Sequence, residues 1–151
     1  MDLRQVYSQI IMEQSRSQRH KHDLPEATAK ERGFNPSCGD DIKLQVKLDG
    51  DVISDIAFTG QGCAISQAST SLLCGLIKGK SLSEARRLVE LFLQMVKGEV
   101  KDEDLLKENL KDAIALKNIS TMPQRVRCAV LAWRTLDLII AKETGTEMLD
   151  G

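Results

Sequence analysis

Along residues 2–17 the apolar side chains Leu3, Val6, Tyr7, Ile10 and Ile11 recur at helical spacing, which predicts an amphipathic helix with one buried face. Residues 20–35 break that rhythm: they are polar, hold Pro25 and Gly33, and read as a connector. The period then shortens to two. Ile42, Leu44, Val46 and Leu48 alternate with polar or charged residues, Asp49-Gly50 is a favoured hairpin turn, and Val52, Ile56 and Phe58 resume the alternation. Two antiparallel strands sharing one buried face are predicted; a third strand has no placement from the pattern alone.

After "TGQGC" helical spacing returns with Ala64, Ala68, Leu72, Leu73, Leu76 and Ile77. Ser81-Leu82-Ser83-Glu84 has the form of a capping box, and residues 86–97 read as an amphipathic helix stopped by Gly98. Acidic residues from Asp102 to Asp104 open another helix, which holds Leu105, Leu106 and Leu110. A short apolar segment, 113–119, precedes Met122-Pro123. Proline suits a first helical turn because its missing N–H would be unpaired there anyway. The last helix is predicted over 123–142, burying Val126, Ala129, Val130, Trp133, Leu136 and Ile140. With no internal repeat, residues 1–151 are expected to form one α+β domain, its helices packed on one face of a small antiparallel sheet.

Composition narrows the function classes. Aromatic residues are only 3%, so the core rests on aliphatic side chains and stacking platforms for single-stranded nucleic acid are not expected. A net charge of −1 supplies no general pull toward phosphate backbones or anionic lipid. The N-terminal residues lack the apolar run of a signal peptide, and no stretch approaches the roughly 18 apolar residues of a membrane span. Four cysteines then point to a reducing, cytoplasmic setting rather than to disulfides. The basic run 16–22 reads as a solvated linker or helix end; a zinc role for His20 and His22 is the alternative, with no nearby cysteine to support it.

Position along the elements separates the cysteines. Cys63 follows Gly60-Gln61-Gly62 at a helix start, Cys128 lies in the first two turns of the last helix, and Cys38 sits on the loop entering the first strand. Helix N-termini favour thiolate over thiol, and Arg125 and Arg127 flank Cys128 to the same effect. Cys74, mid-helix between Leu73 and Gly75, reads as a small packing residue. If Cys38, Cys63 and Cys128 converge, three thiolates repel unless a cation neutralises them. Zinc suits sulfur, prefers four partners, and could take Asp40 as the fourth. In an extended segment Cys38 and Asp40 would point to one side, with Gly39 between them leaving the ion room. The gaps, 25 and 65 residues, are unlike those of a zinc finger, so spacing alone leaves both a metal site and unrelated buried thiols open.

The motifs "NPSCGD" (35–40), "GQGCAISQASTSL" (60–72) and "RVRCAVLAWRTL" (125–136) resemble the SufU branch of the IscU-like iron–sulfur cluster assembly proteins, over nearly the whole chain. The resemblance implies one near-surface Zn2+ per chain, held by Cys38, Asp40, Cys63 and Cys128. It implies a sulfurtransferase-like role: sulfur is accepted on Cys38 as a persulfide from a SufS-type, pyridoxal-phosphate-dependent cysteine desulfurase. That sulfur passes to SufBCD-type assembly machinery. It also implies ligand exchange, in which a desulfurase histidine replaces Cys38 on the metal. Arg125 is expected to steady the anionic site or the partner's surface, or to be plain surface; Arg127 falls where IscU-type scaffolds carry a histidine. That departure, the missing chaperone-binding segment, and the extra stretch 79–110 set this chain apart from the scaffold branch. The alternatives are a scaffold holding a transient [2Fe-2S] cluster and a structural zinc module. A monomer meeting its partners transiently is expected.

Overall fold

The computed structural model describes residues 2–149. Among these, helix α1 (Leu3–Arg16) is followed by strands β1 (Ala29–Asn35), β2 (Asp40–Asp49) and β3 (Val52–Gln61). Helices α2 (Ala64–Ile77), α3 (Leu82–Val96) and α4 (Glu103–Leu110), a 3-10 helix (Lys111–Thr121) and helix α5 (Pro123–Thr144) complete the order. The strands pair antiparallel in the order β1-β2-β3. Helix α5 lies against β1 and β2, and α2 against β3, giving the α+β architecture that the hydrophobic pattern predicts.

The β2–β3 hairpin turns at Asp49-Gly50 as its sequence requires, Gly50 taking a positive φ of 64°. Leu44 faces Phe58 and Val46 faces Ile56 across the ladder, and all four are buried. The strict alternation fails at one point: a register shift between Lys47 and Leu48 turns Val52 outward and buries Ile53 in its place.

Strand β1 occupies part of the stretch read as connector. Its inward positions are Ala29, Glu31, Gly33 and Asn35, paired with Val46, Leu44, Ile42 and Asp40, so no apolar alternation marks it. Gly33 is small because α5 crosses closely: a Cβ there would stand 2.5 Å from Thr135 Oγ1. The rest of the connector covers the sheet's opposite face. Leu24 is buried, and its N–H donates to Gln45 Oε1 at 3.1 Å, satisfying the oxygen of a wholly buried glutamine.

Helix ends follow local chemistry. Asp2 and Gln5 form a full capping box on α1, whereas Ser81 caps α3 by accepting from Glu84 N–H while the Glu84 carboxylate turns to Arg87. Helix α3 therefore begins at Leu82, a turn earlier than the apolar pattern suggests. Pro123 stands in the first turn of α5, and Gly145, left-handed at φ 67°, ends it.

The core centres on Trp133, stacked on Phe92 with ring centroids 3.8 Å apart and planes 5° from parallel. Its Nε1–H donates to Ser69 Oγ at 2.8 Å, and that hydroxyl donates in turn to the Ala129 carbonyl. This relay fastens α2 to the turn of α5 that carries Cys128. Helix α1 is held more lightly. Tyr7 is its one wholly buried side chain among the described residues, and Leu3 is 49% exposed rather than in the core.

Candidate metal centre

Cys38 lies in the turn from β1 to β2. Its N–H donates to Asn35 O at 3.3 Å, and Gly39, at φ +68°, donates to Pro36 O. The two-pronged extended segment expected for Cys38 and Asp40 is therefore not present. The left-handed glycine reverses the chain, and this turn, not strand alternation, sets Cys38 near Asp40. Cys38 is half-buried, and Asp40, the first residue of β2, is wholly buried.

From the other side comes the corner between β3 and α2. Gly60 has φ +112°, and a Cβ there would collide with the Asp41 carbonyl at 2.1 Å; one on Gly62 would lie 2.5 Å from Asp40 Oδ1. Both glycines let this corner press against the start of β2. Cys63 then stands at the N-cap of α2, where its Sγ accepts from Ser66 N–H at 3.4 Å. Its own N–H donates to Asp40 Oδ1 at 2.9 Å.

Cys128, 1% exposed, completes the corner from α5, with its Sγ 2.7 Å from Cys38 Sγ. That separation is longer than the roughly 2.05 Å of a disulfide, and both are free thiols. One ligand atom from each of Cys38, Asp40 and Cys128 lies within 4.8 Å of the other two. Cys63 stands outside that tightest set but is tied to it by its N–H bond to Asp40 Oδ1. Four residues from three separate stretches thus meet. Cys74 is elsewhere, wholly buried along α2, with its pKa raised by burial.

The electrostatics run against one expectation. Cys128 was expected to favour thiolate at its helix N-terminus; instead its pKa is pushed up. Burial is the largest cause, followed by hydrogen bonds to Cys38 and Cys63 and the charges of Cys63 and Asp40. Arg125 and Arg127 are exposed, so their charges are screened by solvent. Together with Ser37, Cys38, Pro123 and Gln124 they line an open cleft of about 480 Å³ beside the half-buried thiol. His20 and His22 take no part in this cluster; His22 Nδ1 meets the Asp23 carbonyl instead.

Asp40 supplies the test of fit for a metal. Its Oδ2 is buried with no hydrogen-bond partner, a costly state for a carboxylate oxygen. Three sulfurs and one carboxylate oxygen are a donor set that suits zinc, so the residues present fit the ion. Two polar residues that the cysteine pattern does not single out also belong here. Asn35 Nδ2 and Ser66 Oγ are buried without partners. The signal was their spacing, three residues before Cys38 and three after Cys63.

Fold and corner together define a class: a small α+β protein whose sheet and helix ends gather cysteines around a candidate metal position. Residues 6–145 match the family described as NifU-like N terminal domain, and the chain belongs to that family. It is 39% identical over 140 residues, 93% of this chain and 92% of the relative, to the zinc-dependent sulfurtransferase SufU of Bacillus subtilis (strain 168). It is 38% identical over 142 residues to the iron-sulfur cluster assembly scaffold protein IscU of Thermotoga maritima, covering 94% of this chain and 97% of that one. The fold superposes with a TM-score of 0.82 and 34% identity on a candidate iron–sulfur cluster assembly scaffold of the SUF system from Fervidobacterium islandicum AW-1. That match covers 92% of this chain and 99% of the other. SufU-named and IscU-named proteins are thus similar to this chain to nearly the same degree; the level they share is iron–sulfur cluster assembly. Among the described residues no helix is long and apolar enough to cross a membrane.

Proposed function

We propose that this protein is a zinc-dependent sulfur acceptor that takes persulfide sulfur from a cysteine desulfurase and relays it to iron–sulfur cluster assembly in the cytoplasm. The observation that carries the reading is the unequal burial of the four residues. Asp40 and Cys128 are buried, and Cys38 and Cys63 are each half-buried, but of the four only Cys38 lines the open cleft. One sulfur can reach a partner while the others stay in place.

Cys38, Asp40, Cys63 and Cys128 would hold the ion, which supplies positive charge to keep clustered thiolates together without protons. The chain's own residues do the rest. Cys38 Sγ, as thiolate, attacks the outer sulfur of the donor's persulfide. A new S–S bond forms on Cys38, the donor's S–S bond breaks, and the donor cysteine leaves as thiolate. The hairpin turn presents Cys38, and the Cys63 N–H holds Asp40 in the corner. Arg125 and Arg127, on the cleft wall, offer positive charge to the anionic persulfide or to the partner's surface. The partners in this reading are a SufS-type desulfurase, which carries pyridoxal phosphate, and SufBCD-type machinery.

The test combines metal content and sulfur placement. One zinc per chain is expected in protein purified without added metal. Incubation with a desulfurase and cysteine should accelerate desulfurase turnover and add sulfur at Cys38 by mass spectrometry. In Cys38→Ser that addition should disappear while the protein remains folded. Sulfur found at the usual level on another residue would overturn the acceptor assignment.

A second reading, a scaffold for a transient [2Fe-2S] cluster, is favoured by the IscU-named relative at 38% identity. Thiolates serve such clusters well. Anaerobic reconstitution with iron and sulfide separates the two: a stable, stoichiometric chromophore on this chain supports the scaffold.

A further inference from the structure

Asp40 is held at one oxygen only. Oδ1 accepts from Cys63 N–H, whereas Oδ2 is buried and unpaired. Two donors in the same state stand on either flank. Asn35 faces Asp40 directly in the last pair of the β1–β2 ladder, so both side chains rise from one face of the sheet. Asn35 is 8% exposed, its Nδ2 has no partner, and its backbone oxygen anchors the Cys38 turn. Ser66 approaches from α2: its N–H donates to Cys63 Sγ, and its Oγ is wholly buried and unpaired. The Ser66 hydroxyl and Asp40 Oδ1 lie 3.2 Å and 2.5 Å from the point where a Gly62 Cβ would stand, so both crowd the same small space.

Buried donors rarely go unpaired, and each exception calls for a cause. Here an unpaired acceptor and two unpaired donors belong to residues that meet in one corner, at the one carboxylate among its four residues. We propose that Asn35 and Ser66 are positioning residues for Asp40. Neither donor bonds the carboxylate in the metal-free chain; with the ion held, the amide and the hydroxyl would turn to it and so set how tightly and how long it holds the metal. This rests on the reading of Asp40 as a ligand. Partners of this kind around a ligating side chain typically change metal affinity by about 10- to 100-fold when removed.

The full-length chain allows a direct test by zinc affinity in competition with a chelator, zinc dissociation rate, the visible spectrum of the cobalt(II) form, and urea unfolding of the metal-free protein. Ser66→Ala exchanges an unpaired buried hydroxyl for a good helix former, so metal-free stability should hold or rise. Zinc affinity should nevertheless fall about tenfold, with faster dissociation and a shifted cobalt spectrum. Asn35→Ala should move the same three quantities in the same direction. A merely structural role would lower metal-free stability and leave the cobalt spectrum alone. The proposal is overturned if Ser66→Ala and Asn35→Ala both keep wild-type zinc affinity and cobalt spectrum while Asp40→Ala loses affinity. Should Asp40→Ala itself bind zinc like wild type, the ligand reading fails and takes this proposal with it.

Discussion

Cys74 and Cys128 are both buried thiols with raised pKa, 54 residues apart in sequence, yet their surroundings differ in kind. Around Cys74 burial is the main cause, and its neighbours are the apolar side chains of the core. Around Cys128 burial is joined by two further sulfurs and a carboxylate. The same contrast holds for polar atoms. Near the core, Trp133, Ser69 and the Ala129 carbonyl form a satisfied chain of hydrogen bonds. Near the corner, Asn35, Asp40, Ser66 and Gln67 carry buried polar atoms without partners, closer together than the two elsewhere among the described residues, Gln45 Nε2 and Asp137 Oδ1. Burial alone makes a thiol inert; burial among other acceptors, left unsatisfied, makes a place for a cation.

The contrast can be broken from either end. Trp133→Ala removes the stacked indole and its hydrogen bond, and should cost about 3–5 kcal/mol of stability by urea unfolding. The chain that remains folded should still bind one zinc. Cys128→Ala should do the reverse: zinc affinity falls about 100-fold or more, while metal-free stability changes by no more than about 1 kcal/mol. If Cys128→Ala kept its zinc, the corner would be ordinary core.

Gly62→Ala lies between these extremes. The added methyl would meet Asp40 Oδ1 at 2.5 Å, so it should cost about 1–3 kcal/mol and loosen zinc about tenfold, read by unfolding and chelator competition. The smallest effect belongs to Cys74. A thiol whose pKa is raised by folding contributes stability that is complete below its unfolded pKa, about 8.5, and is lost as pH rises above it. Metal-free wild type should therefore lose stability above about pH 9 more steeply than Cys74→Ala, in unfolding curves taken across that range. Alkylation of the folded, metal-free protein should modify half-exposed Cys38 and Cys63 well before Cys74.

Where a residue's environment follows from its near neighbours, the sequence was legible. The β2–β3 hairpin, the Ser81 and Pro123 helix starts and the core face of α5 all come from periods and caps that a short window contains. Cys74 as packing was also legible from its helical neighbours, and the approach of Cys38, Asp40 and Cys128, with Cys63 bonded to Asp40 beside them, from element ends together with the family resemblance. Strand β1 was not: its inner face is Ala29, Glu31, Gly33 and Asn35, made small or polar by the close crossing of α5 and by the corner itself. The outward turn of Val52 was hidden because a register shift depends on both strands at once.

The amino-acid order by itself determined which segments become helix or hairpin and which sulfurs stand at their ends, because propensity, capping and periodicity act over a few residues. Tertiary structure alone decided that a left-handed turn at Gly39 brings Cys38 back to Asp40, that Cys128 is buried against the Cys38 sulfur, and that Asn35 and Ser66 stand in the same corner as the carboxylate. Those are matters of distance between segments far apart in the chain, and Coulomb energy, desolvation and hydrogen bonding depend on distance in space rather than on separation in sequence.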